Sequence, residues 1–152
     1  MTRDCLAVLI SETLLIELDS DNLKQGKLEG WNLKGLTMST ENQSQTIPIE
    51  KIKKVDFTGD ILLPRGNNYL RISEEKRIID NQKIWEYIPL TRLSLADGGK
   101  IALLQLRGIL GEKDWQDLVN QSQYFIYVID QIEFNQEANK MTIKASPIPR
   151  NL

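Results

Sequence analysis

Chemistry in this chain has to come from carboxylates, lysines and tyrosines, because there is no histidine and only one cysteine, Cys5. Absence of histidine removes the commonest general base, the Ser-His and Cys-His nucleophile pairs and the usual zinc sites. The best acidic cluster for chemistry is Glu112, Asp114 and Asp117. It opens a predicted helix, where the dipole favours negative charge, so dipole compensation accounts for it without catalysis. Asp56 and Asp60 flank Thr58-Gly59, a spacing that suits a cation or a turn, and a turn is the expectation. Cys5 sits in an apolar run, as a small buried hydrophobe does, with only Arg3 nearby to lower its pKa. Glycine strings that cradle phosphate are missing, and Gly98-Gly99-Lys100 has the spacing of a hairpin. The residues therefore predict a protein that is not an enzyme, with no catalytic residue, no metal and no cofactor.

Binding chemistry is better represented. Trp31, Trp85 and Trp115 each bring a large apolar area with a polar handle. Trp115 is expected in the core under the helix. Trp31 in a turn, and Trp85 beside Glu86 and Tyr87, are expected to be partly exposed, as aromatic anchors of protein interfaces are. Arg65, held between Pro64 and Gly66 in a loop, is a further partner contact. The predicted contact surface is thus Trp31, Arg65, Trp85 and Tyr87. A second possibility is a basic stripe of Lys51, Lys53 and Lys54 with Trp31 as a stacking platform for a nucleic-acid base. Glu29, Glu41 and Glu50 lie in the same region, which makes a solvated strand face the simpler explanation.

These residues are positioned by short β-strands. Leu14, Ile16 and Leu18 alternate, Asp19 to Asn22 supply a turn, and Leu23 to Gly30 resumes with Gly26 at an expected bulge or barrel corner. Gly30-Trp31-Asn32 turns again, Leu36 and Met38 mark a third strand, and Thr46 to Ile49 and Ile52 to Phe57 follow. The upstream segment from Cys5 fits two strands or a short helix feeding a strand. A loop at Gly59 to Asn68 is the expected boundary between a first unit, 1–59, and a second β-rich half, 60–152, the two halves forming either separate domains or a single packed one. Strands are expected at Tyr69 to Ser73, Lys83 to Ile88, Leu90 to Leu95 and Ile101 to Leu106, with a hairpin at Asp97-Gly98-Gly99. Gly111 to Asn120 is the convincing helix, with Trp115, Leu118 and Val119 on one stripe. A final hairpin runs from Tyr124 to Phe134 and from Met141 to Ala145, leaving Pro147-Ile148-Pro149 extended and frayed. Ile47-Pro48-Ile49-Glu50-Lys51-Ile52 is echoed by Ile88-Pro89-Leu90-Thr91-Arg92-Leu93, the pattern a duplicated β-unit would leave, although two matches this short also arise by chance.

Leu14 to Phe57 resembles the Sm-like family, in particular its Hfq branch. The likeness lies in the alternating strand Leu14-Leu15-Ile16-Glu17-Leu18, the polar turn, and Leu23 to Asn32 with Gly26 where the family bends its second strand. Ser44 to Val55 resembles the last two strands. It implies a small Sm/SH3-like β-barrel. The family's uridine-reading Tyr-Lys-His triplet is replaced here by Pro48-Ile49-Glu50, and Asn32 stands where an acidic residue is usual. Pro48 also removes a backbone donor from the edge through which family members form rings.

With 152 residues, the chain is long enough to bury roughly 68–70% of its unfolded surface without a metal or disulfide staple. Apolar residues make up 41% and charged residues 26%, and the net charge is −2, which disfavours a protein whose main work is neutralising phosphates. One cysteine and no secretory core predict a reducing cytoplasm, and no apolar run is long enough for a membrane helix. The sequence thus predicts a mostly β protein with a barrel-like first part and one helix near 111–121. It is expected to be a cytoplasmic adaptor or assembly factor that binds another protein, with Sm-like RNA binding as the alternative. Exposed strand edges favour a homodimer.

Overall fold

The computed structural model describes residues 8–9, 11–19, 21–32, 35–41, 43–65, 68–92, 103–104, 110–121 and 124–149. They form a mostly β structure with one helix. The elements are β1 (Val8–Leu9), β2 (Ser11–Leu18), β3 (Leu23–Asn32), β4 (Gly35–Thr40), β5 (Gln43–Ile47), β6 (Ile52–Arg65), β7 (Asn68–Ile72), β8 (Lys83–Pro89), β9 (Leu103–Leu104), α1 (Glu112–Gln121), β10 (Phe125–Asn135) and β11 (Lys140–Pro149). Short 3-10 turns occupy Ile49–Lys51, Glu74–Lys76 and Ile79–Asn81.

Strand alternation builds the first part as expected. Leu14 and Ile16 are fully buried, and Asp21 turns the chain with φ 65° so that β3 pairs back on β2. β4 and β5 continue the meander, and β6 returns to pair with β2. The ladder order is β5-β4-β3-β2-β6-β10-β1-β9, with β11 joining β10 to β8 and β7 on β6. The sheet is open. Among the described residues no ladder joins β5 to β6, so the five strands do not close into the expected barrel. The N-terminal segment, where it is described, is strand: Val8–Leu9 and Ser11–Leu18.

Glycines that suggested bends serve other ends. Gly26 lies in an unbroken ladder opposite Leu14, and the irregularity falls instead between Leu28 and Gly30. What excludes a side chain at Gly26 is proximity: a Cβ there would lie 2.5 Å from the Ser39 carbonyl oxygen and 2.7 Å from Met38 Cε. Gly59 is not a turn. β6 runs through it, and one extra residue on β6 opposite Ser11 to Thr13, together with φ 80°, makes it a glycine bulge that bends a long strand. The expected boundary at 59/60 and loop at Gly59 to Asn68 therefore fall inside β6 and its hairpin with β7. Trp31 is likewise a strand residue, opposite Leu36, and not part of a turn.

β10 carries two cores. Ile126 and Val128 pack with Ile61, Ile72 and Ile148 on one face, while Tyr127 and Ile129 join the larger cluster on the other. That larger cluster takes residues from both parts of the chain, including Leu14, Met38, Phe57, Trp85, Trp115 and Met141. Between Ile129 and Gln131 the ladder to β11 slips by one residue, so Asp130 is the extra residue and Ile132 faces the same cluster as Ile129. β11 runs on to Pro149, which is paired with Phe125, and Ile148 is fully buried. The end of the strand is thus not frayed. Burial of a side chain such as Ile148 contributes roughly 1.5–3 kcal/mol, enough to hold a strand end that prolines weaken.

The echo at 47 and 88 has a structural counterpart. Ile47 and Ile88 are both buried ends of strands, each followed by a proline and a 3-10 turn, Ile49–Lys51 in one case and residues 90–92 in the other. Leu90 to Arg92 is accordingly not the start of a strand. The hairpin at Asp97-Gly98-Gly99 and the segment 93–102 lie outside the described residues.

Candidate functional site

Helix α1 begins where Gly111 accepts the amide of Trp115 (3.0 Å), with Glu112 and Asp114 in its first turn. Its apolar stripe, Trp115 and Leu118, is buried against the sheet. Its last residue, Gln121, accepts a hydrogen bond from the Tyr127 hydroxyl on β10. Burial pushes the Tyr127 phenol above its usual pKa of 10.0, so at neutral pH it stays a neutral donor.

Between this helix and β8 lies a groove of about 540 Å³. Asp114, Asp117, Leu118 and Gln121 line it from the helix, and Asn81 to Trp85 line it from the strand side. Phe125, Tyr127 and Pro147 complete the lining. Among the described residues, two carboxylates against the single ammonium of Lys83 make it acidic.

An ion pair fixes the strand-side wall. Arg77 Nη1 meets Asp130 Oδ1 at 2.5 Å, with side chains only 7% and 11% exposed. Gln82 Nε2 donates to Asp130 Oδ2 (2.8 Å), and Ser146 Oγ donates to the same oxygen. The Ile78 amide donates to the Pro147 carbonyl (3.0 Å). Arg77, Ile78 and Gln82 thus tie the 77–82 segment to β10 and β11, Ser146 joins the two strands at the same carboxylate, and the bulge at Asp130 is what turns that carboxylate toward them.

β8 itself is an edge: among the described residues it pairs with β11 alone. Its ladder slips where Met141 faces Ile88 and Ile143 faces Trp85, leaving Glu86 and Tyr87 opposite Thr142. Tyr87 takes the left-handed conformation there, φ 61°, and its side chain is 76% exposed. A non-glycine residue in that region costs about 1–2 kcal/mol, so the bulge holds an aromatic ring in solvent at some expense of stability.

The four predicted contact residues separate on this frame. Tyr87 stands out into solvent. Trp85 does not: it is 8% exposed, because alternation along β8 turns it inward, and it lines the groove from within. Arg65 ends β6 opposite Asn68, on a strand and not a loop. Its side chain and that of Trp31 lie outside the described residues.

The basic stripe is broken up. Lys51 is exposed in a 3-10 turn, Lys53 is the extra residue of a bulge opposite Glu17 and Leu18, and Lys54 stands between Glu17 and Glu133 on the neighbouring strands. Lys53 Nζ lies 3.7 Å from Glu17 and 3.8 Å from Asp21. Of the carboxylates, Asp56 accepts a hydrogen bond from Gln131 (2.7 Å) and Asp60 pairs with Arg71 (3.7 Å).

Sequence reasoning singled out Asp114 and Asp117 only as dipole partners and passed over Asn81, Gln82, Gln121 and Tyr127. Their convergence depends on where the helix docks, which no local pattern encodes. No family model matches the chain, and no curated protein or solved structure is significantly similar to it. No helix among the described residues is long and apolar enough to cross a membrane.

Proposed function

We propose that this chain is a protein-interaction module, an adaptor or assembly factor of the cytoplasm without enzymatic activity. The observation that carries the reading is Tyr87: an aromatic ring 76% exposed, held at φ 61° on the bulge of an edge strand. An exposed Tyr at a strained position suits an anchor that a partner covers. Affinity capture from the native cell, comparing the wild type with Tyr87→Ala, tests this. Loss of a reproducible partner in the variant is expected, and an unchanged set of captured proteins overturns the role of Tyr87.

We also propose that β2 to β6 form an Sm/SH3-like unit. Support comes from the five-strand meander around Leu14, Ile16, Met38 and Ile52, in which the fifth strand returns to the first. Sm-like RNA binding through Lys51, Lys53, Lys54 and Trp31 is the second reading, favoured by the exposure of Lys51 and Lys53. The pairing of Lys53 with Glu17 and Asp21 weakens it. A homodimer through an edge strand belongs to the same proposal, and light scattering measures it.

A further inference from the structure

We infer that the groove between α1 and β8 receives an extended peptide segment of a partner protein that carries a lysine or arginine. This rests on the protein-interaction reading above and names the chemistry of the partner. Three features converge. First, β8 is an edge among the described residues, so its free backbone groups can pair with an added strand running along the groove wall. Second, Asp114 and Asp117 stand three residues apart on α1, and both line the groove that β8 borders, so a cationic side chain of an added strand meets two carboxylates there. Third, Trp85 and Tyr127 bring aromatic rings to the same lining, and their faces favour a cation over an anion.

Size points the same way. A volume of about 540 Å³ accommodates one or two long side chains of an extended segment, whereas an inserted helix needs a broader trough. Among the described residues Lys83 is the single cation of the lining against two carboxylates, so a basic side chain reduces the excess negative charge and an acidic one adds to it. Ile84, 52% exposed on the strand side, offers apolar contact to the neighbouring residues of the peptide.

The test uses the full chain and an array of short synthetic peptides centred on lysine or arginine, with glutamate-centred counterparts, read by fluorescence anisotropy on the strongest members. Basic peptides are expected to bind, and Asp114→Asn with Asp117→Asn to weaken them about tenfold. Amide shifts should fall on Gln82 and Ile84 and on the Trp85 indole, which also guards against a misfolded variant. Nα-acetyl-arginine amide alone should fail to compete, since it lacks the strand.

Equal binding of acidic and basic peptides, shifts confined to other strands, or full competition by the free amide overturns the inference. If no basic peptide binds while Tyr87→Ala still abolishes partner capture, the inference falls and the interaction reading stands. If basic peptides bind and the cellular partner ignores Tyr87→Ala, the groove stands and the Tyr87 anchor falls.

Discussion

Arg77 and Asp130 form a nearly buried ion pair between the 3-10 segment and the bulge of β10, with Nη1 and Oδ1 at 2.5 Å. Removing one partner leaves a charge uncompensated in a place that water scarcely reaches. Asp130→Ala is expected to cost about 3–5 kcal/mol, because Gln82 and Ser146 lose their acceptor along with Arg77. Arg77→Met, which keeps volume but strands Asp130, should cost a similar amount, and replacing both residues with apolar ones should recover the part due to uncompensated charge, while Gln82 and Ser146 still lack their acceptor. Urea denaturation of the three variants checks this. If the double replacement is as unstable as either single one, packing and not charge accounts for the effect.

Tyr127 sets a pH dependence at the alkaline end. Its pKa is raised by burial, so the folded form holds the proton above pH 10.0 while the unfolded chain releases it. Stability from this group is fully present below pH 10 and is lost as pH rises from there toward the folded pKa. Tyr127→Phe should lose about 0.5–1.5 kcal/mol at pH 7, the net worth of its bond to Gln121, yet decline less steeply above pH 10 than the wild type. Denaturant midpoints at pH 7 and pH 10.5 for both proteins decide it.

Three glycine-to-alanine substitutions separate close approach, backbone conformation and open space. At Gly26 the new methyl would meet the Ser39 carbonyl oxygen at 2.5 Å, so β3 and β4 must part, at a cost of about 1–3 kcal/mol. At Gly59 the neighbour Thr13 Oγ1 is 3.0 Å away but φ is 80°, which costs an alanine about 1–2 kcal/mol. Gly111 has no atom within 4 Å of the added carbon, and alanine there should cost less than about 1 kcal/mol, from weaker helix capping alone. Thermal unfolding ranks them, and a Gly111 variant as damaged as the other two would contradict the packing described.

Strand alternation and turn chemistry made much of this fold readable before any coordinates. Leu14, Ile16, Leu36 and Met38 face inward as their spacing requires, and Trp115 and Leu118 mark the helix face. The errors arise where one residue type serves two purposes. Gly59 and its neighbours look like a loop, but a glycine also permits a bulge inside a strand of 14 residues. Pro147 and Pro149 look like a loose end, yet a proline is tolerated where β11 runs on past its ladder to β8 and its other positions are buried. Trp85 next to Glu86 and Tyr87 looks exposed, since only the ladder to β11 tells which side of β8 faces the core. The groove was legible least of all, because Gln82, Asp114 and Tyr127 come from three separate segments that only the docking of the helix brings together.

RNA binding by the lysines of β6 and its preceding turn makes a quantitative prediction. Counterion release by Lys51, Lys53 and Lys54 would make affinity fall steeply between roughly 50 and 200 mM salt. Lys53 already has Glu17 and Asp21 as neighbours, so fewer phosphates can be neutralised than three lysines suggest. Binding to a uridine-rich RNA is therefore expected to be weak at low salt and absent at physiological salt, unchanged by Tyr87→Ala. Tight binding that Lys51→Ala abolishes would move the RNA reading ahead of the protein-interaction reading.

Tyr87 brings stability and function into opposition. Glycine adopts φ 61° without the steric cost that a tyrosine bears, so Tyr87→Gly should stabilise the fold by about 0.5–1 kcal/mol, even though glycine is entropically poor in a strand. The ring contributes little to the core, being 76% exposed, so little packing is lost to offset that gain. The same substitution removes the proposed anchor, and partner capture should fall with it while stability rises. Thermal unfolding and affinity capture on one preparation measure both quantities. A less stable Tyr87→Gly protein would mean that the ring is held by contacts within the chain, and its exposure would then lose its meaning as a docking feature.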